Sequence, residues 1–316
     1  MVSEARAALG TQEHETGIQN ANDKSEFKGY RGMLRKATKE DIEQYMDFAY
    51  SLAIDQTKSG YPLWSDGIST KGEFVDFVWK SFRNNDRDIL LFVIDGAVEG
   101  WIQFFYIEQD RYLQTNGFLI NRNTEQAFTE FLEYACAHFA GYDLYLGFPK
   151  RNTEAISFLQ KTGCRLIQES YHDIFVFDGS AIQAETDGIV RVTESNFSEF
   201  RKLHQTDPET YWSSERIFST LNEWLIYLLY REDIAVGYIC ARNGEIFSLG
   251  YRDNIFDKSA YQALVTVILR DLQAAGHKHM IFFNDDEESQ SAALDLGFTC
   301  AGEYVLYIIS ELKIRK

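Results

Sequence analysis

The chain has 316 residues, which is room for two domains of roughly 150 residues each. Hydrophobic residues make up 45% and aromatic residues 15%, so there is material for two sizeable cores. The formal net charge of −17 at pH 7 disfavours a nucleic-acid or anionic-membrane surface, because phosphate binding depends on clustered Lys and Arg.

Targeting and metal signals are missing from the sequence. No apolar run approaches the roughly 20 residues that span a bilayer, and the N-terminus has no apolar signal-peptide core. The four cysteines lie singly in apolar contexts, without metal-ligand spacing: Cys136, Cys164, Cys240 and Cys300. We therefore expect a cytoplasmic protein with buried, reduced thiols, no metal, no nucleic-acid partner and no membrane partner. The sequence does not predict the oligomeric state.

Regular hydrophobic patterning begins at Met33, after a polar and aperiodic segment 1–32 that we expect to be a disordered leader. The following residues, 33–177, are predicted to form a first domain. Asp95 and Gly96 are a strong signal for a two-residue hairpin turn between two of its strands. The predicted elements are strand 34–37, a helix after Thr38, helix 72–82, strands 89–94, 98–106 and 113–120, helix 124–139, strand 144–148, helix 153–161, and two closing strands, 165–169 and 172–177.

The order of elements then repeats. Residues 178–188 are small, polar and turn-rich, so they are predicted to be the interdomain linker, followed by a second domain over 189–316. Gly141 and Gly163 in the first half match Gly276 and Gly297 in the second half at nearly the same separation. Glycine at these places can adopt the left-handed conformation that ends a helix. The sequence therefore predicts two copies of one α/β unit.

This order of elements resembles the GNAT superfamily of acyl-CoA-dependent N-acyltransferases. The most specific stretch resembles the family segment Asn-x-x-Ala-x-x-Phe-Tyr-x-Lys-x-Gly-Phe; its matching residues are Asn152, Ala155, Phe158, Lys161 and Gly163. A looser match covers 286–298. The resemblance implies an α/β (α+β) protein of two tandem GNAT-like domains, each with a mixed, mostly antiparallel twisted sheet flanked by helices. It also implies acetyl-CoA as co-substrate.

The resemblance places a phosphate-binding loop before the long helix of each copy, where glycines let backbone amides approach the CoA pyrophosphate. Neither copy contains those glycines. The second copy offers cofactor-binding candidates in Arg252, Lys258, Ser259 and Ala260, whereas the first copy places Glu125 there. The second copy is therefore the better CoA candidate and the first is interpreted as degenerate. The alternative is that both segments are ordinary capped helix starts.

Amine acetylation needs a base for the ammonium and a proton donor for the leaving thiolate. In the resembling family the base is often a carboxylate on the fourth strand, which selects Glu245 as the candidate, with Tyr251 as candidate donor. Strand alternation would place both on one face with Phe247 and Leu249. The family's usual tyrosine donor is replaced by Leu159 and Ala293. The alternatives are a solvated Glu245 and a packed Tyr251.

Candidate substrate-binding residues lie between the first two helices of each copy: Tyr61 and Trp64 in the first, Tyr211 and Trp212 in the second. Aromatic faces beside carboxylates suit a cationic amine. The predicted function is an acyl-CoA-dependent N-acetyltransferase acting on a small cationic amine. The alternative is a catalytically inactive tandem GNAT-fold ligand-binding or regulatory protein. Aminoacyl transfer from a charged tRNA is disfavoured by the net charge.

Overall fold

A computed structural model of the chain describes residues 34–60, 68, 70–204 and 211–313. The predicted leader 1–32 lies outside the described residues, as do Tyr61 and Trp64. Over the described ranges, none of the helices combines the length and the apolar character needed to cross a membrane. All four cysteines are free thiols; Cys240 is buried, whereas the other three are partly exposed, so the prediction of buried thiols is confirmed only for Cys240.

The described chain forms two compact units. The N-terminal unit contains residues 34–60, 70–167 and 306–313, and the C-terminal unit contains 68, 168–204 and 211–305. Each unit is a mixed sheet with helices, in agreement with the predicted α/β class.

The N-terminal unit follows the predicted order of elements. The helix predicted after Thr38 is present, and the side chains of Thr38 and Asp41 form a capping box at its start. Asp95 and Gly96 adopt positive φ angles of 51° and 81°, which confirms the predicted hairpin turn. The elements are β1 Leu34–Lys36, α1 Lys39–Ala53, α2 Lys71–Arg83, β2 Arg87–Ile94, β3 Ala97–Ile107, β4 Tyr112–Ile120, α3 Thr124–His138, β5 Asp143–Pro149 and α4 Thr153–Lys161.

The C-terminal unit repeats this arrangement. Its elements are β6 Arg165–Val176, β7 Ile189–Arg191, α5 Phe197–Leu203, α6 Ser214–Ser219, β8 Leu225–Arg231, β9 Ile234–Arg242, β10 Glu245–Tyr251, α7 Lys258–Ala274, β11 His279–Asn284, α8 Glu287–Asp295 and β12 Thr299–Ile309. Its strands pair in the order β6-β11-β10-β9-β8-β7. The first three residues of β6 and the last four of β12 belong to the N-terminal unit.

The end of the first sequence repeat differs from the prediction. Two strands were expected at 165–169 and 172–177, whereas the structure has one continuous strand, β6. β6 runs antiparallel to β11, from Val176 opposite His279 to Tyr171 opposite Asn284. This pairing is non-local, and no Gly or Pro interrupts the segment, so nothing in it enforces a turn.

The compact units therefore divide the chain differently from the predicted limits 33–177, 178–188 and 189–316. Residues 168–177 belong to the C-terminal unit, and residues 306–313 to the N-terminal unit. Leu312 exchanges backbone hydrogen bonds with Gly141 and Tyr142. The segment 178–188 packs on α7, where Gln273 bonds the backbone of Ser180 and of Ile182. Consequently, each sequence repeat supplies a terminal segment to the unit built mainly from the other repeat.

Candidate active site in the C-terminal unit

The cleft of the C-terminal unit opens where two parallel strands separate. β10 and β11 pair at Glu245 opposite Ile281 and at Ile246 opposite Phe282, and no further pair joins these strands in the described chain. β10 continues to Tyr251 while bonded to β9 on its other edge. The edge of β10 that faces β11 therefore presents backbone N–H and C=O groups to the gap.

A β-bulge sets which side chains of β10 share a face. Ile246 lies opposite Ala241, and Ser248 lies opposite Cys240, so Phe247 is the extra residue. The bulge reverses the alternation, and Glu245 shares a face with Ser248 and not with Tyr251. The prediction that Glu245 and Tyr251 lie on one face is therefore wrong, because simple alternation ignores the inserted residue.

The cleft has a volume of about 370 Å³, within the range of small-molecule sites. Aromatic rings dominate its lining, and the charged residues of the lining are two exposed carboxylates, Asp285 and Asp286. Among the described residues, no Lys or Arg belongs to the lining. The polar lining residues are Gln168, His204, Ser248, Asn254, Asn284 and Ser289; the aromatic ones are Trp212, Tyr238, Phe247, Tyr251, Phe256, Tyr261, Phe282 and Phe283.

Of the four predicted catalytic and substrate-binding residues that the structure describes, two line this cleft and two do not. Trp212 and Tyr251 are lining residues, whereas Tyr211 and Glu245 are not. Tyr211 instead lies beneath the guanidinium of Arg216, at 4.0 Å from the ring centroid. Glu245 is buried one residue before the first lining residue of β10.

The hydroxyl of Tyr251 is enclosed and has no hydrogen-bond partner among the described residues. Burial raises the pKa of Tyr251, with further contributions from the charges of Asp257 and Asp286. The hydroxyl is therefore protonated at neutral pH, which is the state that a proton donor requires.

His204 is a cleft residue that the sequence reasoning missed. It follows α5, stacks on Phe200 with ring centroids 4.7 Å apart, and its Nδ1 lies 3.0 Å from Ser214 Oγ. Burial lowers the pKa of His204 to about 4, so the imidazole is neutral at neutral pH. In the sequence, His204 is a single histidine at a helix end, and only the packing of α5 on β9 brings it to the cleft.

The four predicted cofactor-binding residues lie at the start of α7 and in the loop before it, and none belongs to the lining. Each has a partner within the chain. Arg252 donates to the carbonyl of Ala235, Lys258 pairs with Asp295 at 2.5 Å, and Ser259 Oγ donates to Asp257. The backbone N–H of Ala260 donates to the Asp257 carboxylate at 3.0 Å.

Asp257 thus occupies the helix terminus where the resemblance would place phosphate. Its hydrogen bond from Ala260 and its ion pair with Arg231 lower the pKa of Asp257 to about 2, so the carboxylate is charged. A second anion at this terminus would meet its repulsion. The residues around the start of α7 therefore do not fit a pyrophosphate while Asp257 caps the helix.

The equivalent gap in the N-terminal unit is filled by the chain itself. β4 and β5 pair only from Tyr112 to Gln114 in the described residues. Beyond that point the carbonyl of Lys58 accepts from Ile120 N–H at 3.3 Å. Gly60 packs so closely on Phe118 that a Cβ at Gly60 would lie 2.4 Å from the Phe118 Cβ.

The rings behind this segment are stacked, with Phe118 4.2 Å from Phe128 and Phe128 4.8 Å from Phe158 between centroids. At the start of α3, the Glu154 carboxylate accepts from Thr124 at 2.6 Å and lies 3.8 Å from Lys58. A carboxylate and packed rings thus stand where a nucleotide co-substrate would have to enter.

Comparison with known proteins shows likeness in structure but not in sequence. No protein-family model matches the sequence, and no curated protein matches it. A GCN5-related N-acetyltransferase from Sphaerobacter thermophilus is 15% identical, with a TM-score of 0.54 over 90% of this chain and 96% of that chain. A GCN5-related glucosamine N-acetyltransferase region of a fungal multi-domain GH3 β-N-acetylglucosaminidase is 10% identical, with a TM-score of 0.53 over 87% of this chain and 38% of that chain.

These likenesses show that the chain has the GNAT fold, which is the fold that the resemblance of its motifs implied. The repeat of the same elements in both units agrees with a tandem arrangement of that fold.

Proposed function

We propose that the chain is an acyl-CoA-dependent N-acyltransferase whose active site is the cleft between β10 and β11. The observation that carries this proposal is the separation of the two strands after Ile246. It leaves the strand edge of Ser248–Tyr251 available to an extended, amide-bearing ligand, which can add to a sheet edge through main-chain hydrogen bonds. The acyl-pantetheine arm of acetyl-CoA has that chemistry.

The proposed acceptor is a small, cationic amine. The aromatic lining offers ring faces to a cation, and Asp285 and Asp286 supply negative charge that no Lys or Arg opposes among the described lining residues. The net charge of −17 adds a long-range attraction for cations.

In the proposed reaction the ammonium first loses a proton, and the amine nitrogen then attacks the thioester carbonyl carbon. The C–S bond breaks, the nitrogen loses a second proton as the amide forms, and the thiolate takes the proton of the Tyr251 hydroxyl; the second nitrogen proton, carried by water, restores that hydroxyl. The candidate bases are Glu245, acting through a bridging water, and the neutral imidazole of His204 in the lining, whose lowered pKa makes it a weaker base than an ordinary histidine.

Incubation of the full chain with acetyl-CoA and a set of small primary amines tests the proposal through release of free thiol. Amine-dependent thiol release and an acetylated product of the expected mass would support it. Failure to bind acetyl-CoA at millimolar concentration would refute it.

A second candidate function is ligand binding without catalysis. It is favoured by the Asp257 carboxylate at the start of α7, which opposes a pyrophosphate there. Under this alternative the same cleft binds a non-nucleotide ligand. Binding of amines in the absence of any acetyl-CoA binding would distinguish it from the first proposal.

A further inference from the structure

The wall of the cleft includes a residue that the sequence repeat assigns to the first copy. Gln168 lines the cleft with Phe283, Asn284 and Asp285. It lies on β6, which stands beside β11 in the C-terminal unit because the two strands pair over six residues. A site built only from residues after 188 would therefore lack this side chain.

The side-chain amide of Gln168 uses its nitrogen within the chain, whereas its oxygen has no hydrogen-bond partner among the described residues. Its Nε2 donates to Ser170 Oγ at 3.2 Å, and the residue is only 9% exposed. Its Oε1 is enclosed, with no hydrogen-bond partner in the part of the chain that the structure describes. Buried amide oxygens are nearly always hydrogen-bonded in folded proteins, so an unpaired one in a cleft indicates a missing donor.

Two further enclosed polar atoms of the lining are also unpaired within the described ranges, the Trp212 Nε1–H and the Tyr251 hydroxyl. An indole N–H can only donate, and a glutamine oxygen can only accept. The three unpaired atoms thus belong to one cleft and differ in hydrogen-bonding character, which is expected of a site that recognises a polar ligand.

We propose that Gln168 is a specificity-determining residue that accepts a hydrogen bond from an N–H of the acceptor amine. This inference rests on the proposed function. A neutral hydrogen-bond acceptor such as the Gln168 amide oxygen suits the reaction. A carboxylate at this position would stabilise the charged ammonium more strongly and hinder the loss of its proton. Attraction of the cation is then provided by Asp285 and Asp286, and discrimination by Gln168.

The test uses two cations that differ in hydrogen-bond donors. Phenethylamine carries three N–H groups when protonated, whereas phenethyltrimethylammonium carries the same charge and none. Calorimetry on the full chain gives the ratio of their dissociation constants. We expect Gln168→Met to lower the preference for the primary amine about tenfold, the effect of losing a hydrogen bond to a charged group.

Two variants separate this role from a structural one. Gln168→Glu keeps an acceptor, so the preference for phenethylamine should be retained. Gln160→Met makes the same exchange at an exposed glutamine on α4 and should leave the ratio unchanged. The melting temperature of each variant shows that it is folded.

An unchanged ratio in folded Gln168→Met would overturn the inference, as would failure of phenethylamine to bind the wild-type chain. Acetyl-CoA binding and thiol release, measured on the same preparations, test the proposed function separately. If the wild-type chain turns over acetyl-CoA but Gln168→Met leaves the ratio unchanged, the role of Gln168 is refuted and the proposed function is supported. If Gln168→Met lowers the ratio but the wild-type chain does not bind acetyl-CoA, the amine site is supported and the acyltransferase function is refuted.

Discussion

The carboxylate of Asp257 accepts a hydrogen bond from the backbone N–H of Ala260 at 3.0 Å, at the first turn of α7. This N-cap satisfies an amide that would otherwise be unpaired, and it stabilises the helix. It also places a fixed negative charge where the GNAT resemblance would place a pyrophosphate.

Removing that charge should strengthen acetyl-CoA binding. Asp257→Ser keeps a capping oxygen and removes the carboxylate, so calorimetry should show a higher affinity for acetyl-CoA, with the gain decreasing as salt is added. Asp187→Ser, at an exposed site in the same unit, makes the same change of charge and should have little effect. If wild type and Asp257→Ser bind acetyl-CoA with equal affinity, the phosphates of acetyl-CoA do not bind at the start of α7.

Tyr251→Phe should separate catalysis from stability. The hydroxyl is enclosed and unpaired among the described residues, so its removal should not reduce the free energy of unfolding. If the hydroxyl protonates the thiolate, kcat should fall by about 100-fold while acetyl-CoA affinity is retained. If turnover by Tyr251→Phe equals that of wild type, Tyr251 does not protonate the thiolate and water is the proton donor.

The base is tested by replacing each candidate in turn by glutamine. Glu245→Gln and His204→Gln each remove one proton acceptor, and the one that lowers kcat by about 100-fold with little change in acetyl-CoA affinity is the base. Turnover that is unaffected by either change would contradict both assignments.

The free energy of unfolding should decrease as the pH is lowered, because His204 has a lowered pKa in the folded chain. Its pKa is lowered to about 4 in the folded chain, against 6.5 for an ordinary histidine, so between these values the unfolded state takes up a proton that the folded state does not. The free energy of unfolding should therefore fall with pH in that window. From pH 7 to 5, wild type should lose about 2 kcal/mol more than His204→Gln in urea titrations. Equal losses would show that His204 is protonated in the folded state.

The close packing of Gly60 on Phe118, in the gap between β4 and β5, leads to a prediction about stability. Gly60→Ala should reduce the free energy of unfolding by about 1–3 kcal/mol, because the new Cβ would meet the Phe118 backbone within 3 Å. Gly72→Ala, whose new Cβ would lie 3.9 Å from its nearest neighbour, Thr70 Oγ1, should be neutral or stabilising. Acetyl-CoA affinity should be unaffected by both, provided that the chain stays folded.

The sequence predicted what local chemistry determines. The hairpin turn at Asp95 and Gly96 and the helix start after Thr38 follow from residues within a few positions of each other. The bulge at Phe247 and the pairing of β6 with β11 depend on partners far along the chain, so neither could be obtained from periodicity. For the same reason the sequence suggested Trp212 and Tyr251 as site residues but missed Gln168 and His204, which tertiary packing brings to the cleft.

Hydrogen exchange with and without acetyl-CoA tests the central claim most directly, because it detects binding and locates it in one measurement on the full chain. The account predicts slower exchange in peptides covering residues 246–252 and 281–286, and no change in those covering 113–120. Protection confined to 113–120, or no protection anywhere at millimolar acetyl-CoA, would contradict it.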